Sequence, residues 1–129
     1  MKRLLILVAA LLITTASIAQ NTYTAYKTEI YKYEGSKWTY NTTNRDVVIP
    51  IHVMKRFIHV EASNNAYFLL EDKPETITGS DFKGFRYVAY DFVMQTKCHI
   101  DVVDMTNMRE SMISVIWEEL GYNIRYYYK

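Results

Sequence analysis

The sequence predicts an all-β protein: an antiparallel meander of about eight or nine short strands that forms a small barrel or sandwich. Three observations carry this prediction. Apolar residues recur at every second position through the last third of the chain, which suits a pleated strand with one buried face. Aromatic and β-branched residues dominate the runs, 12 of the residues being tyrosine, and these types pack well on a pleated surface. Turn-forming clusters separate the runs at intervals of about ten residues. No helical period competes. The nearest candidate, residues 105–120, is dense in the β-branched Ile113, Val115 and Ile116, which are stiff in a helix and favour a strand.

The closing third sets the pattern. Cys98, Ile100 and Val102 form one strand face, Ile113, Val115 and Trp117 a second, and Tyr122, Ile124, Tyr126 and Tyr128 a third. Turns are expected at residues 104–107 and 118–121.

From the front, residues 1–19 have the form of a signal peptide. Lys2 and Arg3 precede an apolar run at residues 4–13, and Ser17, Ile18 and Ala19 form a small-residue cleavage site. That run of ten residues falls short of the roughly 20 needed to cross a bilayer, so no membrane span is expected after cleavage. Residues 20–129 then form a single all-β domain of 110 residues, large enough for a core without staples.

Residues 21–34 alternate imperfectly and predict an edge or bulged strand. A turn follows at Gly35 and Ser36, then a strand from Trp38, with residues 41–46 read as polar and turn-like. Val47, Ile49, Ile51 and Val53 share a face; Pro50, which lacks a donor, argues for a sheet edge or bulge. Lys55 and Arg56 close a hairpin into residues 57–60, and residues 63–65 form a turn into Ala66, Phe68 and Leu70. Residues 71–83 read as the longest loop, with a short strand near Ile77. Residues 84–94 form a long strand with aromatic residues on both faces, hence covered on both sides or paired near the sheet centre.

Composition limits the partners. Without Lys2 and Arg3, 13 basic residues face 14 acidic ones, and no basic run is present, so nucleic acid is not expected. Cys98 is the single cysteine, which makes an internal disulfide impossible and a buried thiol the expectation. His52 and His59 oppose each other across the hairpin if its turn has two residues, which makes them weak metal candidates. A third ligand at a familiar spacing is missing, and no metal or other cofactor is expected. No nucleophile elbow, phosphate loop or zinc-protease motif occurs. A lipid-facing barrel is disfavoured by the apolar inward positions Cys98 and Ile100.

The tripartite leader, the alternation around Tyr87, Asp91 and Cys98, and the two closing strands resemble the small Sec-exported β-meander proteins of Gram-negative bacteria. In architecture the chain is similar to lipocalin-like barrels, although Gly35-Ser36-Lys37-Trp38 is one residue longer than the Gly-Xaa-Trp motif of that group. The resemblance implies a periplasmic or secreted protein. The residues themselves point to a binding or interaction module for a small apolar ligand or a protein partner, with Phe82, Arg125 and Tyr127 as candidate contacts. Phe82 is expected as an exposed aromatic flanked by Asp81 and Lys83, and Arg125 and Tyr127 on the outer side of the last strand. The alternative is a small hydrolase that uses the strand histidines.

Overall fold

Every regular element in the computed structural model, which describes residues 21–61, 65–70, 73–106 and 109–129, is a β-strand. The leader with residue 20, residue 62, residues 63–64 of the turn expected at residues 63–65, residues 71–72 of the expected loop and residues 107–108 lie outside the described residues. Eleven strands are formed among the described residues, against the eight or nine expected. They are β1 Asn21–Ala25, β2 Lys27–Glu34, β3 Lys37–Asn44, β4 Ile49–Val53, β5 Phe57–Val60, β6 Asn65–Leu69, β7 Glu75–Thr78, β8 Phe82–Asp91, β9 Thr96–Met105, β10 Glu110–Trp117 and β11 Tyr122–Tyr128.

All pairings are antiparallel, in the order β1-β4-β5-β6-β8-β9-β10-β11-β2-β3, with β7 added beside β8. β1 and β2 are successive parts of one extended run broken at Tyr26. β1 pairs with β4 and β2 with β11, while the Tyr26 amide donates to the Tyr127 carbonyl at 2.9 Å. This shared run draws the two ends of the sheet together, and the sheet curls into a half-barrel.

Alternation decides what fills the curl. Partnered residues in an antiparallel pair share a face, so the registers define rows across the sheet. Tyr87, Ile100, Val115, Ile124 and Ile30 form one such row. All of these but Ile30 meet Ile51, Ile58, Val60, Tyr67 and Leu69 from β4, β5 and β6 in a single core. Ile51, Ile58, Ile100 and Ile113 are wholly buried, each worth roughly 1.5–3 kcal/mol relative to exposure. Cys98 lies in this core, as its face predicts, and burial pushes its thiol up to about 12.

Some local expectations hold and others need correction. The run at residues 21–34 keeps to the expectation of an edge or bulged strand: β1 ends the sheet order beside β4, and β2, between β11 and β3, shifts register against β3 between Ile30 and Tyr31. Residues 41–44 extend β3 instead of turning, because ladder bonds to β2 hold polar threonines in an edge strand. Pro50 lies inside the sheet order, yet β5 begins to pair only from Ile51, so the proline has a ladder on one side alone. The short strand expected near Ile77 is β7, paired with β8, and β8 begins at Phe82, which shortens the loop expected over residues 71–83.

The turns are legible in chemistry. Gly35 and Ser36 both have positive φ, at 57° and 70°, which is the requirement of a two-residue type I′ hairpin. In contrast, Lys55 and Arg56 close β4 onto β5 without a residue of positive φ, and His52 does oppose His59.

Candidate functional site

The faces of β8 to β11 turned away from the core form the floor of a second feature. The registers place Arg86, Asp101, Ser114, Arg125 and Glu29 in one row across five neighbouring strands. One row towards one end lie Gly84, Val103, Met112 and Tyr127; towards the other lie Val88, His99, Ile116 and Asn123. A polar stripe thus crosses a floor with apolar residues on both sides.

Above this floor lies a cleft of about 680 Å³. Trp38 of β3 and Thr76, Ile77 and Thr78 of β7 line it together with floor residues of β8 to β11. β3 and β7 are the outer strands of this part of the sheet, so their shared presence means that the sheet is concave on this side. Gly84 lets β8 approach β9 closely. A Cβ there would meet Val103 Cα at 2.8 Å and the Val102 carbonyl carbon at 2.9 Å, inside any normal contact.

The two arginines of the cleft are held differently. Arg86 binds Asp101 through two parallel hydrogen bonds, Nε to Oδ1 at 2.8 Å and a terminal nitrogen to Oδ2 at 2.9 Å. This fork is the strong geometry for a guanidinium and a carboxylate, and it raises the Arg86 pKa against the opposing effect of burial. Arg125 has no carboxylate within ion-pair distance among the described residues. Its guanidinium carbon lies 4.2 Å from the centroid of the Tyr31 ring, and its Nε is buried without a hydrogen-bond partner. The cross-strand neighbour Glu29 accepts instead from two hydroxyls, Tyr31 at 3.2 Å and Tyr127 by a short bond.

Other polar groups of the floor are satisfied locally. The buried Ser114 hydroxyl donates to Asn123 Oδ1 at 2.6 Å, which leaves the Asn123 amide nitrogen as a donor. Burial and the Glu29 bond raise the Tyr127 pKa, with a hydrogen bond from Arg125 and the charge of that guanidinium pulling against them.

Of the residues singled out from sequence, Phe82 and Arg125 come together in the lining of this cleft, and Tyr127 lies beneath it. Two details differ from expectation. Phe82 is half-buried at the start of β8, its ring against Gly79 and packed on the cluster of Val103, Met112 and Tyr127. Tyr127 is buried, because β11 is covered on its second face also. The sequence reading missed Trp38, Arg86, Asp101, Ser114, Ile116 and Asn123. The signal for Arg86, Asp101, Ser114 and Asn123 was a polar residue inside a strand rich in apolar residues.

The histidines stand elsewhere. His52 and His59 stack with ring centroids 5.8 Å apart; His52 also contacts Thr22 Oγ1 at 3.0 Å and Glu61 Oε1 at 2.8 Å. His99 lies 3.3 Å from Glu118. Among the described residues no group of three His, Cys, Asp or Glu is arranged to hold a metal ion.

Fold and site together define a small all-β protein with a filled core on one side of its curled sheet and a mixed apolar and cationic cleft on the other. Comparison with protein-family models, with curated proteins and with solved structures finds no match to this chain.

Proposed function

We propose that the chain is an exported binding module that loses residues 1–19 and, in the periplasm or outside the cell, holds a small, largely apolar ligand in the cleft. The observation that carries this reading is the cleft itself. At about 680 Å³ it falls in the range of roughly 300–1,000 Å³ typical of small-molecule sites. Its lining combines Val103, Met105, Met112, Ile116 and Phe82 with a few oriented polar groups, the usual composition of such a site. Cys98 and the three histidines lie outside that lining, which favours binding over catalysis. The tripartite pattern of the leader supports export.

Titration with N-phenyl-1-naphthylamine, a neutral apolar fluorophore, tests the binding reading. Saturable binding at one site per chain is expected, and Ile116→Trp should weaken it at least tenfold while the thermal midpoint holds. Absence of saturable binding, or unchanged affinity in the folded variant, would refute the cleft as a ligand site. Intact-mass analysis of protein from its native host tests export; retention of Met1 would refute cleavage.

A further inference from the structure

We propose that the ligand of the cleft carries a single anionic head group, received by Arg125, with an apolar body lying on the methionine and valine side of the floor. This inference rests on the binding reading above and adds the ligand's chemical class.

The argument starts from charge balance. The charged residues lining the cleft are Arg86, Asp101 and Arg125. Arg86 and Asp101 neutralise each other through their two-bond fork. One positive charge is left over, on Arg125. Its nearest candidate counter-ion, Glu29, lies one strand further along the same row, and its Oε1 accepts from the Tyr31 and Tyr127 hydroxyls. The Tyr31 ring covers the guanidinium at 4.2 Å. Stacking of this kind engages the flat face of an arginine; at its edge the guanidinium meets the Tyr127 hydroxyl, while Nε is left for another acceptor.

A partly desolvated guanidinium without a carboxylate partner is costly unless something completes it. The unpartnered Nε of Arg125 marks that incompleteness. The Asn123 amide nitrogen, freed because Ser114 engages Oδ1, is a further donor in the same lining. One carboxylate or phosphate oxygen pair matches this set, since arginine forms a planar fork to either. Beyond the polar row, Val103, Met105, Met112 and Phe82 supply an apolar bed for the remainder of the molecule.

The test compares three ten-carbon compounds, decanoate, decyl phosphate and decan-1-ol, as competitors of N-phenyl-1-naphthylamine near neutral pH. At least one anion is expected to bind ten or more times tighter than the alcohol, and the better of the two identifies the head group. Arg125→Met should erase this preference while the neutral fluorophore still binds. Ser114→Asp, which sets a carboxylate beside Arg125 in the row, should erase it too and serves if the first variant does not fold. If the fluorophore binds but neither anion is preferred, or if the preference survives both changes, the anionic head group is refuted and the cleft remains a site for neutral molecules. If the fluorophore does not bind the wild-type chain, the cleft reading fails and the head-group inference falls with it.

Discussion

The Trp117 indole donates to Asp91 Oδ2 at 2.8 Å, and both residues are buried. Asp91 ends β8, and its other oxygen caps the following turn by accepting from the amides of Val93 at 2.9 Å and Met94 at 3.1 Å. One carboxyl group thus ties the end of β10 to the turn between β8 and β9. Trp117→Phe keeps most of the ring volume and removes the donor, which should cost about 1.5–3 kcal/mol. Trp117→Ala also opens a cavity and should cost about 3–5 kcal/mol. Urea denaturation separates the two, and equal costs would mean that the hydrogen bond contributes nothing.

Cys98 should behave as an inert thiol. Its side chain is nearly inaccessible, and desolvation with the nearby Asp91 raises its pKa to about 12, far from the thiolate needed for reaction. Labelling by a maleimide should be slow in the native protein and become fast in denaturant. Rapid native labelling would contradict the burial.

The last three strands were legible because each turns one largely buried face to the core, where alternation dictates register. The expected run Tyr122–Tyr128 coincides with β11. Strand β3 was only partly legible. Its end, Asn41 to Asn44, consists of asparagine and threonine, and there the hydrogen bonds to β2, not burial, hold the chain extended. The cleft was harder still. Alternation shows that Arg86, Asp101, Ser114 and Arg125 each sit opposite the core face, but not that they stand in one row. That depends on the registers of three separate hairpins. Phe82 and Arg125 stood out through residue type alone, as an aromatic beside charges and an arginine among tyrosines.

Alkaline pH should destabilise the fold selectively. Tyr128 and Tyr26 are raised to about 12, the first chiefly by burial and the second chiefly by its hydrogen bond to Glu110. Tyr67 is raised strongly by burial, and Cys98 to about 12. In each case the fold favours the neutral, protonated form. The unfolded chain loses these protons near its ordinary values of 9.0 for cysteine and 10.0 for tyrosine. Stability from these groups is therefore complete below about pH 9 and declines as pH rises towards 12. The urea midpoint should fall steadily between about pH 9 and pH 11, and a flat profile there would contradict the shifts.

Gly84 should tolerate no side chain. Because an added Cβ would press on the β9 backbone at Val102 and Val103, and backbone yields less readily than a side-chain tip, Gly84→Ala should cost about 1–3 kcal/mol. Gly35→Ala is the contrast. Space is open around it, but its φ of 57° disfavours alanine, for a cost of about 1 kcal/mol. Thermal denaturation of both variants checks the order. A Gly84→Ala protein as stable as the parent would show that β8 and β9 are not in close contact there.

Arg86 and Asp101 should respond asymmetrically to loss of the other. Their side chains are 36% and 9% exposed respectively. After Asp101→Asn, Arg86 can still turn its charge to water, and an amide oxygen remains to accept, so a cost of about 1 kcal/mol is expected. After Arg86→Met, the buried Asp101 carboxyl loses both donors of the fork at once. It has little access to water in exchange, so the cost should be larger, about 2–3 kcal/mol. Pairing Arg86→Met with Asp101→Leu removes the stranded group and should recover much of the loss, since a packed apolar pair can replace a buried ion pair. A double-mutant cycle in urea measures all three, with Asp101→Leu as the second single variant. If Arg86→Met costs no more than Asp101→Asn, or the double variant is the least stable of the set, then the fork is a solvent-screened surface pair and the floor of the cleft is wetter than its burial implies.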